Sequence, residues 1–366
     1  MDISRLSVTS HKLFHHIGEV TKWQKGEDFM PIVVEVNPID GCNHRCVFCY
    51  SDFLGHHKEL MIDPDLLVRV FRDMGKCGVK SVMLQGTGEP LMNPGTPDAI
   101  VAGKEAGLDI ALITNGVLFN EESLEKIIPR LSYLRCSALE STPELYAKTH
   151  RSSPKHHEKI LNNLKRAVEI RNRELAKNPN LETIIQVHHI PFPYNIHQTV
   201  DTVKMMRDIG LDMVYVKPAQ IRPDNKDHEW PLDMHLKYKE VLEECTKLET
   251  STFKVSVRWN EFELCEVSGP FKKGYNSCFG MYFSTNIDAD SKVYPCYKHW
   301  REPEWCLGDL KEMSFEEIWK SDRRKQLLAD HMKNYDLNQC HVQCRQHPYN
   351  KALWDLEHPP LHKNFL

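Results

Sequence analysis

The chain has 366 residues, 41% of them hydrophobic, and a formal charge of −4. That is apolar material for one large α/β domain and a smaller one, and it excludes wholesale disorder. The modest charge gives no reason to expect a nucleic-acid partner. With no apolar run near the length of a membrane span and no secretory signal at the N-terminus, the reading is cytoplasmic, without a membrane partner.

From residue 31 short apolar runs alternate with longer amphipathic ones. "PIVVEVNP" reads as a strand and runs into the loop "GCNHRCVFCY" at 41–50. "DPDLLVRVFRDMGKCG" is a helix with Asp63 as N-cap, Pro64 at its first position and Gly78 at its stop. "VKSVMLQGTGE" is a strand, 97–107 a helix, "DIALITNG" a strand, and 120–131 a helix capped by Asn120. "YLRCSALE", "ETIIQVHHIP" and "DMVYVKPAQ" are further strands, separated by helices at about 154–177 and 196–209. The connections are too long for hairpins, so the strands are expected to be parallel with right-handed crossovers. Six such units make a partial (β/α)6 barrel, with functional groups at the C-terminal ends of its strands.

After about residue 250 the pattern changes. "FKVSVRW" alternates like a strand, "FSTNIDADSKVYPCY" reads as a hairpin around Asp288–Ser291, and "SFEEIWKSDRRKQLLADHM" as one amphipathic helix. The expected organisation is an N-terminal extension at 1–30, the partial barrel at 31–250, and a small cysteine-rich domain at 251–366.

Twelve cysteines in a cytoplasmic chain argue against a disulfide framework. Cys42, Cys46 and Cys49 supply three thiolates, which leaves one position open on a metal centre. Cys278, Cys296, Cys340 and Cys344 form two pairs that can close a second site. That site suits an auxiliary [4Fe–4S] cluster or a structural zinc, and a zinc reading of the first site would recruit His44 or His56. Cys77 and Cys245 fall in helices as ordinary thiols. Cys265 and Cys306 flank the second site as further ligand or hydrogen-atom donor candidates.

The C-x3-C-x2-C spacing, with Phe48 just before the last cysteine, resembles the signature of radical S-adenosylmethionine (SAM) enzymes, and the likeness runs over roughly residues 31–220. It implies a [4Fe–4S] cluster on Cys42, Cys46 and Cys49, whose open iron binds SAM. "QGTGEP" at 85–90 resembles the family's Gly-Gly-Glu-Pro motif, which implies that Glu89 and the backbone near Gly88 hold the SAM amino group. "TNG" at 114–116 implies Asn115 near the cofactor. Ser137 takes a SAM-contacting position, and Arg151 matches a basic residue that pairs with the SAM carboxylate. Where relatives carry an acidic residue two positions after that serine, this chain has Leu139, with Glu140 one step on. The hairpin with its "PC" ending resembles the SPASM/twitch extension, with Ser291 in a glycine's place, and implies the auxiliary cluster at Cys278, Cys296, Cys340 and Cys344. An external one-electron donor of flavodoxin or ferredoxin type is implied as partner.

Strand residues alternate sides, so Gln186 and His188 are placed inside the barrel if Ile185 and Val187 face the helices. Tyr215 and Lys217 share a face of the last strand. Lys217, His188 and Tyr215 are the candidate catalytic residues, since a lysine or histidine there can remove a proton beside a substrate radical. The leading expectation is a radical SAM oxidoreductase or epimerase acting on a small polar metabolite of sugar, nucleotide-sugar or aminocyclitol type. Modification of a peptide or protein side chain is the alternative. A non-enzymatic iron–sulfur or zinc sensor is the third.

Overall fold

A computed structural model describes residues 10–51, 60–137, 139–219, 234–265, 273–340 and 344–364. Seven strands run parallel in sequence order: β1 (Val33–Val36), β2 (Ser81–Leu84), β3 (Asp109–Thr114), β4 (Tyr133–Cys136), β5 (Ile184–His189), β6 (Met213–Val216) and β7 (Lys254–Val257). The six strands expected from sequence are all present. The seventh is "FKVSVRW", which joins the parallel sheet beside β6. At the other end β8 (Ser284–Ile287) pairs in parallel with β1, and β9 (Lys292–Tyr294) and β10 (Gly308–Asp309) follow antiparallel. One ten-stranded sheet thus runs β10-β9-β8-β1-β2-β3-β4-β5-β6-β7.

Local chemistry explains the crossovers. Asp63 accepts a hydrogen bond from the Leu66 amide at 3.0 Å, Pro64 opens the helix Pro64–Cys77, and Gly78 closes it at φ 100°. The expected helix after residue 314 is two, Phe315–Lys320 and Asp322–Asn334, because Ser321 leaves helical geometry and caps the second by accepting from the Arg324 amide at 3.2 Å. The helix Pro143–His150 has no counterpart in the sequence reading and starts at Thr142, which caps it.

Along the strands Val34, Val36, Leu84, Leu112, Leu134, Val187, Val214 and Val216 are buried against the helix layer. The alternate residues, among them Glu35, Met83, Tyr133, Arg135, His188 and Tyr215, line the other face, which is the barrel interior. One buried ion pair ties the outer layer to the sheet: Arg171 Nη1 of helix Lys155–Lys177 lies 2.5 Å from Asp212 Oδ2, and Asp212 also accepts from the Ile185 amide at 2.7 Å.

The β8–β9 turn falls at Asp288–Ser291 as expected, and Ser291 sits there at φ 70°. A non-glycine residue in that region costs about 1 kcal/mol, and the buried Ser291 hydroxyl has no hydrogen-bond partner among the described residues. Ser291→Gly is expected to stabilise the protein by about 1 kcal/mol, net of the glycine's greater loss of chain entropy. The thermal unfolding midpoint reads this out, and a lower midpoint would contradict it.

Candidate active site

The cysteine loop leaves the C-terminal end of β1 and is pinned by the Arg45 and Val47 amides, which donate to the carbonyls of His150 at 3.1 Å and Thr149 at 2.9 Å. Burial is the main reason the Cys42 and Cys46 thiols stay neutral: it pushes Cys42 up to about 11 and Cys46 well above its ordinary value. The charge of Cys49 adds to that effect at both, and the charge of Cys42 adds to it at Cys46. Two desolvated sulfurs with that of Cys49 close enough to disfavour their thiolates suit a cationic metal centre, which takes them as thiolates. Cys46 Sγ also lies 3.1 Å from His150 Nδ1, and one ligand atom each of His44, Cys46 and His150 fall within 4.8 Å of one another. That is the geometry on which a zinc reading with His44 rests; His56 lies outside the described residues.

The "QGTGEP" turn packs directly on this loop. A Cβ at Gly88 would overlap the carbonyl oxygens of Ile39 and Gly41, and one at Gly86 would overlap Asn37. Both glycines are therefore required by close approach of the chain to itself. Glu89 is 2% exposed. Its carboxylate accepts from Thr114 Oγ1 at 2.6 Å and from the Asn115 and Leu91 amides at 2.7 and 3.1 Å. Burial raises its pKa while these three donors pull it down. Asn115 Nδ2 donates to Asn43 Oδ1 at 2.6 Å, which joins the "TNG" turn to the cysteine loop.

Thr87, a departure from the family's glycine, has a structural task. Its hydroxyl donates to Asp40 and accepts from Asn37 Nδ2 at 2.9 Å, and the same Asn37 amide donates to Asp288 Oδ1 at 2.7 Å. Arg301 completes the bridge, 3.1 Å from Asp40 and 2.9 Å from Asp288. The cofactor turn, the cysteine loop and the C-terminal hairpin thus share one buried polar network.

Beyond the loop lies a cavity of about 150 Å³ lined by Phe48, Tyr50, Ser137, His188, Ile190, Lys217 and Pro218. Four residues singled out in the sequence, Phe48, Ser137, His188 and Lys217, meet there. Tyr215 stands behind His188, their rings edge-on at 5.5 Å, with the Arg258 guanidinium 4.9 Å above the Tyr215 ring. His189 points the other way, fully buried and within 3.0 Å of Leu139 O and Thr199 Oγ1. Burial lowers Lys217 to about 8; Glu261 opposes this, while Arg135, Arg258 and Arg345 add to it. Burial likewise keeps His188 neutral. Arg151 is not brought to the cavity: it is exposed at the end of helix Pro143–His150, with φ 45°. Glu140 is consumed structurally, accepting from Thr149 Oγ1 at 2.9 Å and Asn195 Nδ2 at 3.0 Å, with burial lifting it to about 7.

Cys278, Cys296, Cys340 and Cys344 converge in the C-terminal region. Burial raises all four thiols, and Cys344 and Cys340 act on both Cys278 and Cys296. Tyr335 hydrogen-bonds Cys340, and the Tyr297 ring next to Cys296 meets Tyr50 of the cavity edge-on at 5.7 Å. Cys306 stands apart: its charged neighbours are Lys292, Asp290 and Asp309, and its thiol points to Gly308 O at 3.8 Å. The Cys265 side chain lies outside the described residues.

Residues 36–175 match the Radical SAM superfamily, and residues 278–345 match an iron–sulfur cluster-binding domain (SPASM). The chain belongs to the radical SAM superfamily and is a radical SAM enzyme with a SPASM-type C-terminal domain, so its cofactors are a SAM-binding [4Fe–4S] cluster, SAM and auxiliary iron–sulfur clustering. This sets aside the zinc and sensor readings. Among curated relatives, a probable GTP 3′,8-cyclase of Methanocaldococcus jannaschii is 25% identical over 54% of this chain and 63% of its own length. The chain thus spans under two thirds of that relative. The AdoMet-dependent heme synthase of Methanosarcina barkeri is 23% identical over 79% of this chain and 82% of its own. In fold, Streptococcus suis SuiB bound to S-adenosylmethionine superposes with a TM-score of 0.63 at 15% identity, covering 85% of this chain and 71% of that one. Native anSMEcpe with bound AdoMet and a Cp18Cys peptide gives 0.55 at 14%, covering 90% and 98%. No helix among the described residues is long and apolar enough to cross a membrane.

The arrangement predicts a contrast between two cysteines. Cys344→Ser is expected to lower the iron content of the reconstituted protein by the share of one cluster and to leave the first cluster's signal in place, whereas Cys306→Ser keeps the full iron content. Iron analysis with electron paramagnetic resonance checks both; equal iron loss in the two variants would make Cys306 a ligand.

Proposed function

We propose that the enzyme removes hydrogen from a small polar metabolite held in the cavity against Ser137, His188 and Lys217, and that the outcome is a dehydrogenation or an epimerisation. When bound, SAM and the clusters supply the hydrogen-abstracting 5′-deoxyadenosyl radical and, for a dehydrogenation, an acceptor for the remaining electron, with a flavodoxin- or ferredoxin-type protein as electron source. The observation that carries the reading is the meeting of a lysine amine and a histidine in one cavity of about 150 Å³. Glu89 is offered as the carboxylate for the SAM ammonium, with Asn115 and Ser137 beside it. Lys217 takes the proton that becomes acidic next to the radical carbon, and Phe48 and Tyr50 exclude water from that side. The relatives named above do not specify a sugar or aminocyclitol, so the reading stops at a small polar metabolite.

A second reading, modification of a peptide side chain, is favoured by the fold likeness to structures of SuiB bound to its precursor peptide and of peptide-bound anSMEcpe. Anaerobic 5′-deoxyadenosine formation by the reconstituted enzyme separates the two. Stimulation by the low-mass fraction of source cells supports the small-molecule reading; stimulation only by the peptide and protein fraction overturns it.

The lysine also sets a pH dependence. Its pKa in the fold, about 8, lies below the ordinary lysine value, so the neutral amine that acts as base accumulates above pH 8. Substrate consumption is expected to rise through about pH 8, and Lys217→Met is expected to remove that limb while the rest of the profile persists. A variant with the limb intact would take the base role from Lys217.

A further inference from the structure

Among the described residues, the barrel interior gathers more positive than negative charge. Arg135 on β4 is in register with Gln186 on β5, and one pleat towards the C-terminal ends His188 is in register with Tyr215 and Tyr215 with Ser256. Two residues further on, alternation sets Lys217 and Arg258 side by side on that same face. Four cations, Arg135, Lys217, Arg258 and Arg345, therefore share the chamber with two carboxylates, Glu35 and Glu261, among the described residues.

The two carboxylates are already assigned. Glu35 forms an ion pair with Arg345, and Glu261 lies 3.8 Å from Arg258 Nε. Arg135 and Lys217 have no carboxylate within 4.0 Å among the described residues, and the buried Nε of Arg135 has no hydrogen-bond partner. An arginine that serves packing brings its own acceptors, because an unpaired buried cation is strongly destabilising. The mutual repulsion is visible at His188 and Lys217: after burial, the nearby cations are what hold both towards their neutral forms.

We propose that the substrate is an anion whose carboxylate or phosphate group is bound by Arg135, with Arg258 beside it and the Lys217 amine left to act as base. The proposal rests on the reading of the cavity as the substrate site and narrows it to a chemical class. Carboxylate and phosphate share the planar, two-oxygen edge that a guanidinium fork recognises. A ligand of that charge supplies the missing acceptors at Arg135 and offsets the chamber's excess of cations. It also places the rest of the small molecule against Ser137 and His188, one pleat above the arginine.

The test uses the reconstituted enzyme with SAM and 5′-deoxyadenosine as readout. The low-mass fraction of source cells is split on an anion-exchange resin at pH 7. The proposal expects stimulation by the retained pool, and phosphatase treatment of that pool abolishes it for a phosphate ester and spares it for a carboxylate. Stimulation by the unretained pool alone overturns the anionic class and leaves the small-molecule reading standing. Stimulation only by the macromolecular fraction, or by none, overturns both. Arg135→Gln is expected to raise the amount of retained pool needed for half-maximal rate at least tenfold with a much smaller change in maximal rate, and Arg135→Lys to recover part of the loss. A fall in maximal rate alone would make Arg135 structural, and the fractionation of the unmodified enzyme decides the class even where that variant does not fold.

Discussion

Glu89→Gln is expected to weaken SAM binding to the reconstituted enzyme at least thirtyfold, while the cluster on Cys42, Cys46 and Cys49 still assembles. The side chain is 2% exposed and holds its place by accepting from Thr114, Asn115 and Leu91. An amide of the same shape keeps the packing, removes the negative charge, and turns an NH2 group towards donors. Truncating one partner of a buried charged pair costs about 2–5 kcal/mol, and thirtyfold is the low end of that range. Equilibrium dialysis with labelled SAM measures the affinity, and cluster absorbance confirms the metal centre. An unchanged affinity would remove Glu89 from the cofactor site and leave it as a brace between the "GEP" and "TNG" turns.

Asp212→Ala carries the largest expected loss of stability, about 3–5 kcal/mol, because it strands the buried Arg171 guanidinium and the Ile185 amide together. The double replacement Arg171→Met with Asp212→Leu is expected to recover most of that loss, since it removes the charge along with its partner. Denaturant midpoints of the two variants settle the matter. Equal losses would mean that the pair's value lies in its hydrogen bonds to the sheet.

How much of this was legible in the sequence depended on how local each signal was. The three-cysteine loop was legible because cluster chemistry dictates its spacing, and the helix caps at Asp63 and Asn120 because each partner lies three residues away. Alternation put His188 and His189 on opposite faces, and His188 inside once Ile185 and Val187 face the helices, as they do. The same alternation sets Arg135 on the inward face two residues before Ser137, yet "YLRCSALE" drew attention to the serine and not to the arginine. Thr87 was beyond local reading, since its partners Asp40 and Asn37 lie 47 and 50 residues away and Asn37 in turn reaches Asp288 across 251 residues. Arg151 was named by a motif match alone, and the structure puts it, exposed, at the end of helix Pro143–His150.

The pairing of β8 with β1 has a consequence for how the chain acquires its shape. β1 is among the earliest strands synthesised, but the partner on its outer side, Val33 to Ser284 in register, comes some 250 residues later, the separation at which Asn37 reaches Asp288. Until then β1 presents an open edge of amides and carbonyls, the kind of surface on which strands of other molecules add. Its closure is a long-range event, and long-range strand pairing is slow. A chain shortened before Ser284 would keep that edge exposed permanently, so removing the C-terminal domain would cost solubility as well as a metal site.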